Sequence, residues 1–197
     1  ANKLAQNQAD SNSIINQSTN LNDKQKQALN DLINHAQTKQ QVAEIIAQAN
    51  KLNNDMGTLK TLVEEQSKVH QQSKYINEDP QVQNIYNDSI QKGLEILNGS
   101  TDDVLNNNKI ADAIQNIQLT KNDLHGEQKL QKAQQDANNE LNYLTNLNNS
   151  QRQSEHDEIN SAPSRTEVSN DLNHAKSLNE AMRQLENEVA LENSVKK

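Results

Sequence analysis

The feature that most constrains this chain is self-similarity at a period of 126 residues, because a repeat of that length fixes the fold before any single element is assigned. Shifted by one period, Leu4 meets Leu130, Leu21-Asn22 meets Leu147-Asn148, and Ile33-Asn34 meets Ile159-Asn160. Val42, Ala49, Leu52, Met56, Leu59 and Val63 meet Val168, Ala175, Leu178, Met182, Leu185 and Val189. Without a gap, 24 of the first 69 aligned positions are identical. Chance matching in a chain rich in Asn and Gln would match Asn and Gln; here the apolar positions stay in register. Residues 1–70 and 127–197 are therefore two copies of one three-helix module. Residues 71–126 form a different three-helix module, whose first helix is shared with the end of the module before it.

Composition says how such modules are built. Hydrophobic residues make up 31 % of the chain, with no Phe, Trp or Cys and three Tyr, against 32 Asn and 24 Gln. That is too little apolar surface for a large core. Yet net charge is only −8, with 4 Gly and 2 Pro, far fewer breakers than a disordered linker carries. Thin helical bundles with narrow apolar seams reconcile the two. The acidic balance and the lack of a basic run argue against nucleic acid. No apolar stretch approaches the ~20 residues of a membrane span, and no signal peptide opens the chain. Its two ends read as cuts in a longer protein.

In the second copy Val168, Leu172, Ala175, Leu178, Met182, Leu185 and Val189 are spaced 4-3-3-4-3-4, a heptad-like stripe on one helix face. The helix before it shows Leu130, Gln134, Ala137, Leu141 and Leu144. The middle module shows Val82, Tyr86, Ile90, Leu94 and Leu97, then Ile110, Ile114, Ile117 and Leu124. Thr38 with Gln41, Ser164 with Glu167, Asn22 with Gln25 and Asn148 with Gln151 have capping-box spacing. Asp79-Pro80 places an acid ahead of a Pro at a first helical position, and Gly99-Ser100-Thr101 makes a stop and a restart. These signals predict helices over 3–18, 22–36, 39–75, 81–97, 103–143, 148–161 and 165–192. The span 39–75 would reach roughly 55 Å, and 103–143 is interrupted only at His125-Gly126. The expected fold is all-α, an elongated rod of consecutive three-helix bundles joined by shared long helices. A bundle of ~60 residues is marginal alone, and helix continuity lets neighbours support each other. Leu29, Leu32 and Ala28 become Glu155, Glu158 and Ser154 in copy two, so the C-terminal bundle is expected to be the less stable.

A search for chemistry yields no catalytic, cofactor or metal site. His35, His70, His125, His156 and His174 include no pair at helical ligand spacing, and the lack of Cys excludes thiolate zinc sites. Glu155-His156-Asp157 reads as a solvated face. Of the paired acids, Asp102-Asp103 falls in a helix first turn, where acids favour the dipole; Glu64-Glu65 has no such setting. Asn53-Asn54-Asp55-Met56-Gly57 lies inside a heptad stripe rather than a calcium loop. Met56 and Met182 read as core fillers, and Tyr86 as core. Tyr75 is expected to pack the end of the middle bundle, and Tyr143, opposite Gln17, to face outward.

The run Ser73-Lys74-Tyr75-Ile76-Asn77-Glu78-Asp79, then Tyr86, closing with Asn122-Asp123-Leu124-His125-Gly126, resembles a FIVAR module. The flanking copies resemble the GA-type modules that alternate with FIVAR modules in giant staphylococcal extracellular-matrix-binding surface proteins. Their marks are Leu147-Asn148, Gln151, Ile159-Asn160, Arg165-Thr166-Glu167-Val168 and Leu178-Asn179-Glu180-Ala181-Met182. Gly126-Glu127-Gln128-Lys129-Leu130 resembles the junction between modules. Copy one departs in Thr38-Lys39-Gln40-Gln41 and in Gly57 where copy two has Arg183. The resemblance implies a non-enzymatic, monomeric segment of a cell-wall-associated adhesin at the cell surface. It would bind fibronectin or other host matrix and support attachment and biofilm growth. Its alternatives are a purely structural spacer, or albumin binding by the GA-type modules. No ligand-binding residue is assigned: with no Trp, three Tyr and three Arg (Arg152, Arg165, Arg183), hot-spot anchors are scarce, so binding would be weak per module and carried by neighbouring repeats through avidity.

Overall fold

Asn22 and Asn148 each end a turn and start a helix in the same way. Each side chain accepts the N–H of Gln25 or Gln151 at 2.9 and 2.8 Å, and that Gln returns a bond to the Asn N–H at 3.0 Å. Thr38 and Ser164 make only the forward half. Gln41 instead accepts from the Gln37 N–H at 2.7 Å, so that spacing does not give a reciprocal box. The structure, a computed structural model, describes residues 2–197 apart from the side chain of Asn2. Among the described residues there are ten helices and no strand: α1 Asn2–Asn16, α2 Asp23–His35, α3 Lys39–Glu64, α4 Gln66–Val69, α5 Ser73–Ile76, α6 Pro80–Leu97, α7 Asn107–Asn122, α8 Gly126–Asn142, α9 Asn149–Ser161 and α10 Arg165–Val195.

The helices form two compact units. The first holds residues 1–70 and 80–123. Here α3 serves two sets of partners: α1 and α2 pack on it, and so do α6 and α7. Its Val42, Ala49, Leu52, Met56, Leu59 and Leu62 are buried, with Leu52, Met56 and Leu59 fully so. Gly93 lets α6 approach. A Cβ there would lie 3.0–3.1 Å from methyl groups of Ile117, Leu59 and Val63. Gly93 thus takes the core position expected for Leu94, which is 37 % exposed. The shared helix is real, then, but it ends at Glu64 instead of running to residue 75. Glu65 turns out toward Lys121 at 3.1 Å, and only the short α4 and α5 follow.

The second unit holds residues 71–79 and 124–197. Its core is Ala137, Leu141, Leu147, Ile159, Ala162, Val168 and Ala175, flanked by Leu130, Ala133, Leu144, Leu172 and Leu178. Helix 103–143 does not exist as one element. Asp103 sits in the left-handed region (φ 59°), which L-residues resist, so α7 starts only after the Asn106 cap. The acid pair Asp102-Asp103 therefore lies ahead of the helix rather than in its first turn. At the other end Asp123 closes α7 and α8 begins afresh at Gly126. Tyr75 and Leu124 also differ from expectation: both belong to this second unit, Tyr75 half-buried in α5 and Leu124 buried.

The two copies use the same polar clamps. Gln8 donates to the Ile33 and Ala36 carbonyls, both at 3.0 Å, as Gln134 does to Ile159 and Ala162 at 3.3 and 3.2 Å. Asn12 bonds Asn34 at 2.8 Å, and Asn138 bonds Asn160 at 2.7 Å. The Asn20 N–H reaches Asn53 at 3.0 Å, and the Asn146 N–H reaches Asn179 at 2.8 Å. These bonds satisfy donors and acceptors at helix ends that a thin core cannot hide from water.

Candidate functional site

The most elaborately built polar cluster lies where residues 71–79 seat on α8 and the start of α10. Asn77 is 2 % exposed and uses its whole amide. Its Nδ2 donates to Ser73 Oγ at 2.9 Å and the Pro163 carbonyl at 3.2 Å, while its Oδ1 accepts the Arg165 N–H at 2.9 Å, the first donor of α10. Glu78, 5 % exposed, accepts from the His125 N–H at 2.6 Å, the Asp79 N–H at 2.7 Å and Lys129 Nζ. Asp79 accepts from Lys129 Nζ at 2.6 Å and from Arg165 Nη1 at 2.9 Å. Beneath them the backbone of Gly126 comes so close that a Cβ would meet the carbonyl oxygen of Ser73 and lie 2.6 Å from that of Lys74 and 2.8 Å from the Glu78 nitrogen. A buried carboxylate with three donors and an adjacent ion pair is a lock between chain segments, because each of its polar groups is already spent on a partner within the fold.

Its electrostatics follow from those contacts. Burial pushes the Glu78 carboxyl up, but the bonds from Lys129, His125 and Asp79 outweigh it and hold the group below its ordinary value. Lys129 and Arg165 hold Asp79 below its own, and the two acids raise Lys129. A carboxylate depressed in the folded state contributes stability above its unfolded value and loses it as pH falls through the folded value. Residues 71–79 are therefore expected to stay seated at neutral pH and to loosen below about pH 4.5. Amide exchange across 71–79, compared with Glu78→Gln over pH 3–7, checks this. The two proteins should differ at pH 7 and converge in acid; parallel profiles would count against the lock.

Elsewhere the expected residues scatter. Tyr143 is 82 % exposed and faces outward as read; Tyr86 and Met56 are fully buried as read. Met182 is only half-buried, and Leu185 and Val189 are 53 % and 49 % exposed. In the second unit α8 and α9 pack on α10. Glu155 is not on a solvated face: it is 5 % exposed at the position of the fully buried Leu29, and its Oε1 lies 3.0 Å from His174 Nδ1. The helix turns the residue inward whatever its chemistry, because the position is set by Ile159 and the stripe around it. His156 contacts Asn138 and Asn142 at 2.6 and 3.2 Å. Two of the three Arg are spent internally: Arg152 caps the Leu141 and Leu144 carbonyls at 2.9 and 2.8 Å, and Arg165 serves the lock. Arg183 pairs with Glu180 at 2.5 Å. Sequence reasoning missed the lock; the signal that marked it was Asn77-Glu78-Asp79 ahead of Pro80 together with Lys129 and Arg165.

Among the described residues no group of three His, Cys, Asp or Glu is placed to hold a metal ion, and no helix is long and apolar enough to cross a membrane. The GA module family matches residues 1–55 and 127–181, and the FIVAR domain family matches 55–125. The chain belongs to the GA-module family, with a FIVAR domain between its two GA modules. It is 40 % identical over 165 residues to the extracellular matrix-binding protein ebh of Staphylococcus aureus (strain MRSA252) and equally to EbhA of strain N315. The match takes in 84 % of this chain and 2 % of either relative, so the chain spans about one fiftieth of their length. The crystal structure of the 756–1003 domain of S. aureus EbhA shares the fold, with a TM-score of 0.82 at 23 % identity over 88 % of this chain and 71 % of that one. A structure from Embp, the extracellular matrix binding protein that mediates Staphylococcus epidermidis adherence to fibronectin, matches at 35 % identity and TM-score 0.59, covering 63 % of this chain and 98 % of that one. The FIVAR match begins at residue 55, inside α3, in keeping with a helix that serves a GA and a FIVAR bundle at once.

Proposed function

We propose that this GA–FIVAR–GA segment is part of a cell-wall-associated surface adhesin that contacts fibronectin or related host matrix weakly through each module and holds by avidity, supporting attachment and biofilm growth. The observation that carries the reading is the kinship with extracellular matrix-binding proteins over 84 % of the chain. The chemistry of the surface supports the weak, multivalent mode. Tyr143 is an exposed aromatic anchor, while Arg152 and Arg165 are committed within the fold. Interfaces that lack Trp, Tyr and Arg hot spots gain strength mainly from copy number.

Immobilised fibronectin and chains of one, two and four 126-residue periods test it. Apparent affinity is expected to rise on the order of 10²-fold from one period to four, and Tyr143→Ala in every copy to reduce it. If four periods bind no better than a period-free control, the modules are a spacer and the ligand contacts lie elsewhere.

A further inference from the structure

The lock on the second GA copy has a counterpart on the first, built from the equivalent residues. Lys129, which holds both Glu78 and Asp79, corresponds to Lys3. Arg165, which offers its N–H to Asn77 and its guanidinium to Asp79, corresponds to Lys39. Pro163, whose carbonyl receives the Asn77 amide, corresponds to Gln37, and the cap Ser164 to Thr38. The charge and the backbone groups of the receiver are thus retained. Lys3 is identical between the copies although residues 1, 2, 5, 6 and 7 all differ. Lys3 and Lys39 are exposed, and neither makes an ion pair among the described residues. Asn7 stands where copy two has Ala133, a residue lining the groove beside Asn77 and Glu78, and its Oδ1 is buried without a hydrogen-bond partner. A face that keeps two cations and a helix-start donor in place is built to receive something acidic, and the Asn7 Oδ1 adds an acceptor for an incoming N–H.

We infer that the face formed by Lys3, Gln37, Thr38 and Lys39 is a docking surface for an Asn-Glu-Asp segment, supplied in cis by another period of the same protein. The occupant is identified by the internal copy: residues 71–79 already fill the equivalent face on α8 and α10, with the carboxylates on Lys129 and Arg165. On the first copy the Glu carboxylate would meet Lys3 and the Asp carboxylate Lys39, with the Asn side chain on the first N–H of α3. Lysine replaces the forked guanidinium of Arg165, so this second lock holds with fewer bonds than the first.

The test is a tandem chain carrying residues 1–126 twice ahead of 127–197, in which the second GA copy is the one described here and now follows a full period. Two substitutions are made singly and together: Glu78→Gln in the first period, and Lys3→Met in the second. Thermal unfolding and amide exchange of the first turn of α3 in the second period are read. Each single change is expected to lower protection there about tenfold, and the double change no further than the stronger single. In the original 197-residue chain Lys3→Met is expected to be silent, which separates docking from a loss of folding. Additive effects of the two changes, or protection equal to that of the 197-residue chain, overturn the proposal. Concentration-dependent association of the 197-residue chain that Lys3→Met abolishes also overturns it, because the occupant would then come from a second molecule.

Discussion

Gly126→Ala is expected to unseat residues 71–79 and to cost the second unit about 3 kcal/mol, the upper end of what overpacking usually does. The atoms a new Cβ would strike are the Ser73 and Lys74 carbonyls and the Glu78 nitrogen. They belong to backbone already held by its own bonds, the Ser73 carbonyl accepting the Asn77 N–H at 3.0 Å and the Glu78 N–H donating to the Tyr75 carbonyl at 3.1 Å, so they cannot turn aside as a side-chain end would. Denaturant unfolding of the whole chain, followed by exchange in separate peptides, distinguishes the units. Residues 71–79 and 124–142 should lose protection while α1, α2 and the first half of α3 keep theirs. Unchanged exchange in 71–79 would mean that the close approach is not needed for seating.

Glu155→Leu should act in the opposite direction and raise the stability of the second unit by about 1–4 kcal/mol, the range seen when buried charges give way to apolar residues of similar volume. The chain contains its own control, because Leu29 occupies the same position in the first copy and is fully buried. Glu155 has His174 as its partner, and that imidazole is 71 % exposed, so the pair loses much of its attraction to water while the carboxylate bears the cost of burial. The gain should appear as a rise of roughly 4–8 °C per kcal/mol in the melting of a unit this small. A lower melting temperature in Glu155→Leu would show that the pair is a net stabiliser. His174→Gln, which restores the first copy's Gln48, should destabilise, since it leaves Glu155 without its partner.

Much of the fold could be read from the apolar register. Period, helix faces, the N-caps at Asn22, Thr38, Asn148 and Ser164, and the buried Tyr86 and Met56 all follow from spacing and side-chain volume. What escaped was set by polar contacts between residues far apart in sequence. The matched Gln8, Asn12, Asn20, Asn34 and Asn53 carry no spacing signal of their partners, yet they make the same contacts in both copies. The break at residues 123–125 depends on Glu78 taking the His125 N–H, a bond across 47 residues. Met182 was assigned to the core because its stripe copies that of Met56. A stripe states which face is apolar, not how deeply each of its residues is buried. Glu155 was assigned to solvent by chemical type, although its register with Leu29 already placed it inward.

Residues 71–79 fold with a unit that they precede by more than forty residues, and α3 packs with helices on both sides of that segment. Excising residues 71–126 alone would therefore strip α3 of α6 and α7 and leave Lys129 and Arg165 without acids. Inserting a stretch one full period long does neither, wherever it is placed, because it rejoins equivalent positions and repeats the clamps and the shared face. Interleaving thus makes the whole period the quantum of inheritance. A chain that gains a whole period keeps each helix with its partners, whereas one that gains or loses a single module does not.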